Sequence, residues 1–115
     1  MKIFNRSKGT IVAEKAEIAD TVLSRLIGLL NRSSLHSDEA LVITQCRSIH
    51  MFFMRFPIDA IFVSIDNCVV GLVKGIKPFR LSPVFFKSRY VIEIPEGNIV
   101  QSKTSVGDKI EIKNI

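Results

Sequence analysis

The run from Cys46 to Asp66, CRSIHMFFMRFPIDAIFVSID, constrains the fold more than any other part of this chain. Apolar residues follow one another almost without a break around His50, Arg55, Pro57 and Asp59, the pattern of successive strands buried on both faces. Pro57 divides the run. Its ring fixes φ, removes a ladder donor and pushes Phe56 toward extended geometry, so a strand over Ile49–Arg55 must end or bend before a second runs from Ile58 to Ile65. Asp66-Asn67 then reads as a two-residue turn that tolerates positive φ, with Cys68 to Val73 as the returning strand. This register sets Val63 opposite Val70, Ile61 opposite Leu72 and Asp59 opposite Lys74, so a largely apolar face ends in a cross-strand ion pair.

The flanking segments are shorter. Lys2–Asn5 reads as a strand, Ser7-Lys8-Gly9 as a turn and Thr10–Ala16 as its partner strand. Asp20 is placed to cap a helix whose Leu23, Leu26, Ile27 and Leu30 make a buried stripe, with Gly28 near its end. The polar stretch 31–39 is a loop, and Ala40–Thr44 a strand. GIKPFRLSPVFFKS, with two prolines and no steady period, is a long loop that covers or rims something. A strand through Tyr90, Ile92 and Ile94 stops at Pro95, residues 98–104 allow one helical turn, and after the Gly107-Asp108 turn Ile110 and Ile112 alternate with charged neighbours. Many short strands and one main helix predict a mainly β (α+β) fold: a single domain over residues 1–115, an antiparallel β sandwich or barrel, rather than a βαβ sheet.

A chain of 115 residues with 47% hydrophobic and 23% charged residues supports one core without staples. The opening MKIFNRSKGT lacks the apolar run of a signal sequence, and no segment is long enough to span a bilayer, so a cytoplasmic protein without a membrane partner is expected. Cys46 and Cys68 form no close pair of the zinc or redox type and read as buried free thiols. The net charge is +5, and its excess is local. Between Asp66 and Glu93 stand Lys74, Lys77, Arg80, Lys87 and Arg89 with no acidic residue, whereas elsewhere eleven basic residues face eleven acidic ones.

Several of these pieces occur together and in order: Arg25-Leu26-Ile27-Gly28-Leu29, the segment Ile49 to Asp59 with its Met54-Arg55 and Asp59, then Phe62, Glu93-Ile94-Pro95-Glu96-Gly97, and Gly107-Asp108. In this the chain resembles the domain-of-unknown-function family number 192. It departs from the pattern in a more polar 31–39 stretch and in Asn67, where a Gly is usual. The resemblance implies a mostly β, sandwich-like domain and no particular activity.

Ionic side chains inside an apolar stretch must find partners, because a buried unpaired charge costs several kcal/mol or more. His50, Asp59 and Glu93 can move protons, and Arg25 and Arg55 can hold an anion. The first reading is therefore a non-enzymatic accessory or binding domain that holds a small anionic ligand, or a partner's extended segment, near Arg25, His50, Arg55, Asp59 and Glu93. The structural alternatives are Lys74 as partner of Asp59, Arg89 as partner of Glu93, and Arg25 covering a helix end. The second reading is an enzyme with His50 and Asp59 or Glu93 as acid and base. The third is weak single-strand nucleic-acid binding through loop 74–89, where Lys77, Arg80, Lys87 and Arg89 interleave with Phe79, Phe85, Phe86 and Tyr90. Cys46, His50 and Met54 are also ligand types of a copper site that would need His36 as a second imidazole. Core or rim roles suit them as well, and no metal or cofactor is assigned.

Overall fold

A computed structural model describes residues 1–30 and 32–114, without the side chains of Val22, Leu23 and Leu26. Its elements in chain order are β1 (Lys2–Asn5), β2 (Thr10–Ala13), β3 (Lys15–Ala19), α1 (Val22–Ile27), β4 (Glu39–Thr44), β5 (Ile58–Ser64), β6 (Val69–Ile76), β7 (Ser88–Pro95), α2 (Asn98–Gln101) and β8 (Ile110–Lys113). They build a three-stranded sheet, β2-β1-β8, and a five-stranded sheet, β3-β4-β7-β5-β6. Single backbone hydrogen bonds stitch the two sheets at their margins, Val69 N–H to Asp108 and Ile110 N–H to Asn67 on one side, Ala16 N–H to Met1 on the other. The result is a sandwich almost closed into a barrel.

The strand after Pro57 is β5, and all seven of its residues are buried. Its side chains alternate between two cores, as a period of two requires. Ile61 and Val63, with Ile92 and Ile94 of β7, point between the sheets and meet Ile3, Val12 and Ile110. Ile58, Ala60 and Phe62, with Val91 of β7 and Leu41 and Ile43 of β4, point the other way, where Leu29, Ile49, Met51 and Met54 cover them. One face of the large sheet is thus closed by a second sheet and the other by loops.

The structure departs from the sequence reading in several places, each with a local cause. Residues 49–55 are not a regular strand. They turn early, Met54 N–H bonding to the Met51 carbonyl, and pair with residues 79–85 through Met51 N–H to Arg80, Phe79 N–H to Met51, Ser82 N–H to Ile49 and Phe85 N–H to Arg47. Only His50 and Leu81 form a ladder pair. The β5–β6 register is as expected at Ala60↔Val73 and Ile61↔Leu72, but bulges on either side move Val63 opposite Val69 and Ile58 opposite Ile76. Asn67 has φ 63, as its turn demands. The expected strand Thr10–Ala16 breaks at Glu14, and β3 leaves the small sheet to lie parallel to β4. That pairing requires a crossover, which α1 and the following loop supply. Thr21, not Asp20, caps α1: its Oγ1 accepts from Ser24 N–H while Ser24 Oγ accepts from Thr21 N–H. Gly28 at φ 50 ends the helix after six residues. Of its expected stripe, the Leu23 and Leu26 side chains lie outside the described residues, as does Asn31 of the loop. Cys46 and Cys68 are free but half-buried.

Candidate functional site

Of the five ligand-binding candidates that the sequence offers, the structure gathers three. Arg25, His50 and Glu93 line one cavity of ≈ 90 Å³ on the loop-covered face, together with Ile43, Cys46, Ser48, Ile49, Met54 and the 27–30 segment. The elements explain the convergence. Glu93 is on β7 opposite Leu41 and Ala60, so its side chain shares the face that carries the second core. Residues 46–54 cross above it, and the chain leaving α1 at Gly28 closes the side.

Glu93 is 5% exposed, and its carboxyl has neither an ion pair nor a hydrogen bond among the described residues. Among the described residues no fully buried side-chain oxygen or nitrogen lacks a partner, so the Glu93 oxygens keep contact with the cavity space. Burial pushes the Glu93 carboxyl up to about 7. Arg25 does not relieve it: its guanidinium donates to Gln45 Oε1 at 2.7 Å. The expected Arg89 partner is exposed and unpaired among the described residues. Cys46 lends its thiol proton to the Ser48 carbonyl at 3.0 Å, and burial, with a smaller contribution from the charge of Glu93, raises its pKa. It is a structural thiol rather than a ready nucleophile. The His50 ring stacks on Phe52 with centroids 5.5 Å apart and makes no hydrogen bond to Glu93 among the described residues.

Asp59 and Arg55 fall outside the cavity. Asp59 is 1% exposed on the opposite, inter-sheet face, where its carboxylate accepts backbone N–H groups from Gly75 at 2.7 Å, Gly97 at 3.1 Å and Ile99 at 3.0 Å. The expected Lys74 pair does not form; Lys74 is exposed, because the bulge at Asp59 and the turn at Gly97 aim backbone donors at the carboxylate first. A three-way main-chain clamp is a structural role, joining β5, β6 and the start of α2. It also removes the His50–Asp59 acid/base pair. Arg55 is exposed on the covering loop.

Cys46, His50 and Met54 do line the same cavity, but His36 lies in a separate groove before β4, and no three His, Cys, Asp or Glu side chains among the described residues could share a metal ion. In the basic loop, Lys77, Arg80, Lys87 and Arg89 are all exposed. Two of the four expected stacking rings are not available. Phe85 lies against Phe62, centroids 4.5 Å apart, over Gly71, and Tyr90 is half-buried with its hydroxyl donating to Asn67 at 2.9 Å. Sequence reasoning missed Gln45, which anchors Arg25 from a position of φ 51; nothing in its sequence context signals that role.

The fold and site define a small β sandwich with a loop-roofed cavity. The chain belongs to the family described as Uncharacterized ACR, domain-of-unknown-function family 192, which matches residues 3–112. It is 36% identical over 112 residues to a UPF0127 protein of Pyrococcus abyssi, covering 95% of each chain. It is 34% identical over 112 residues to a UPF0127 protein of Pyrococcus horikoshii, covering 95% of this chain and 96% of that one. The solved structure of a protein of unknown function from Novosphingobium aromaticivorans superposes with a TM-score of 0.83 at 23% identity, over 96% of this chain and 82% of the other, a likeness of fold.

Proposed function

We propose that this protein is a small-molecule binding domain whose cavity seats a ligand against Glu93. The observation that carries the reading is a largely buried Glu93 carboxyl that has no hydrogen-bond or ion-pair partner among the described residues and opens onto a cavity it shares with Arg25, Ser48 and His50 and with the apolar Ile43, Ile49 and Met54. A carboxylate in a largely buried site loses part of its hydration, and a donor from a ligand supplies what the protein does not. The chemistry favours a hydrogen-bond-donating head, such as an ammonium, amidinium or primary amide, on a short apolar body that lies along Ile43, Ile49 and Met54. An anion, which Arg25 and Arg55 suggest by sequence, is disfavoured: Arg55 lies outside the cavity, Arg25 donates to Gln45, and ionised Glu93 would repel it. A hollow of ≈ 90 Å³ suits a compact ligand rather than a drug-sized one. Free Cys46 and Cys68 agree with a reducing compartment such as the cytoplasm.

Thermal-shift screening at pH 8 tests this with small amines, amidines and amides set against small carboxylates and phosphates. Donor-headed ligands should raise the melting temperature of the native chain, and Glu93→Gln should abolish the rise for the cations. Equal stabilisation by carboxylates, unaffected by Glu93→Gln, contradicts it.

The acid/base reading keeps one observation in its favour: Glu93 shares a cavity with His50, where burial pushes its carboxyl up to about 7, a value suited to a general base. Turnover of a bound ligand, lost in both Glu93→Gln and His50→Ala, would separate catalysis from binding.

A further inference from the structure

The roof of the cavity has an outer surface of unusual character. Phe53 and Phe79 stand at the tips of the two paired loops, each at φ 63, a left-handed conformation that a bulky residue adopts only against its preference. Their rings meet edge to face with centroids 5.8 Å apart, yet remain 75% and 60% exposed. Phe52, Leu81, Val84 and Phe86, on the same two loops, are exposed as well. Backbone strain and apolar exposure at one spot return nothing to the fold, so their use lies outside it.

The charge around this surface is one-sided. Arg47, Arg55, Lys77, Arg80, Lys87 and Arg89 belong to the two loops or their ends, and all are exposed. None forms an ion pair among the described residues, whereas the five ion pairs found there use Arg6, Lys8, Lys15, Arg32 and Lys113, all outside these loops. From Asn67 to Ile92 the sequence contains no acidic residue.

We propose that this roof docks peripherally on an anionic lipid surface, with the phenylalanine tips in the interface and the cations against headgroup phosphates. Interfacial docking differs from spanning, for which no helix among the described residues is long and apolar enough. A bilayer takes up aromatic and aliphatic side chains alike, and each cation near an anionic leaflet adds to binding. Single-stranded nucleic acid fits less well: Leu81 and Val84 offer nothing to base stacking, and Phe85 and Tyr90 are turned inward.

Co-sedimentation of the full chain with vesicles of about 30% phosphatidylserine in phosphatidylcholine, against pure phosphatidylcholine, tests the proposal. Binding should be at least about tenfold stronger to the anionic vesicles and should weaken as salt screens the cations. The double variant Phe53→Ser/Phe79→Ser should lose at least about tenfold in partitioning with an unchanged circular dichroism melt. Arg80→Glu/Lys87→Glu should lose a similar amount and stands as an independent check on the same surface. Undiminished binding of either folded double variant overturns the proposal, as does absence of binding to anionic vesicles. Without vesicle binding, a salt-sensitive complex with an oligothymidylate assigns the surface to nucleic acid, and a dimer abolished by Phe53→Ser/Phe79→Ser assigns it to a second copy; either result also overturns the proposal.

Discussion

Two buried carboxylates sit on neighbouring strands of one sheet and face opposite ways, and their surroundings differ completely. Asp59, between the sheets, accepts three backbone N–H groups and makes part of a face where polar groups are consistently answered. Nearby on that side, Asn5 donates to Thr104 and Asp108, and Asp108 also receives Lys8. Glu93, under the loops, faces a cavity and has no hydrogen-bond or ion-pair partner among the described residues. A charge that serves the fold is saturated by the fold; one that is left bare at a thermodynamic cost is available for something else. The covering material follows the same division. Regular strands close the inter-sheet face, and irregular, aromatic, positively charged loops close the other.

The largest expected effect lies on the saturated side. Asp59→Ala leaves three donors facing a void and should lower stability by about 4 kcal/mol in urea denaturation. A loss below about 1 kcal/mol would break the contrast. Glu93→Gln should act in the opposite sense, and only at high pH. The folded chain holds this proton up to about pH 7 while the unfolded chain releases it near 4.5, so unfolding releases a proton in that window and stability falls as pH rises through it. At about 1.36 kcal/mol per pH unit the penalty approaches about 3 kcal/mol above pH 7. The variant should therefore be the more stable protein at pH 8 and the equal of the native chain at pH 4, as read from paired denaturation curves. Gly71→Ala should cost about 1–3 kcal/mol, since a Cβ there would collide with the Phe85 ring that seals the loop-covered core. Phe53→Gly should be smallest: at φ 63 and mostly exposed, the position tolerates glycine, and the melting temperature should hold or rise slightly.

Much of the fold was legible because the large sheet announces itself. β5 is a continuous apolar run after a proline, β7 stops at Pro95, and the Asp66-Asn67 turn set the hairpin between β5 and β6 to within its bulges. Bulges leave little trace in a sequence, and they changed the partner of Asp59 from Lys74 to main chain. The parallel pairing of β3 with β4 was hidden because a break at Glu14 separates strands that read as one. The site was half legible: Arg25, His50 and Glu93 come from three distant segments, and a polar residue in an apolar run signals need without saying which neighbour meets it. Residues 49–55 misled for a physical reason. Alternating buried Ile49 and Met51 with exposed His50 and Phe52 has a strand's period, but the turn at Met51–Met54 puts Phe53 at positive φ and stops the ladder.

The most direct test is a carbon-13 NMR titration of the Glu93 side-chain carboxyl in the unliganded protein. A midpoint near 7, moving downward when a small ammonium or amidinium compound is added, is the result expected of a bare carboxyl in a ligand seat. A midpoint near 4.5 that no such compound shifts would show Glu93 to be hydrated or paired, and the cavity would lose its claim to function.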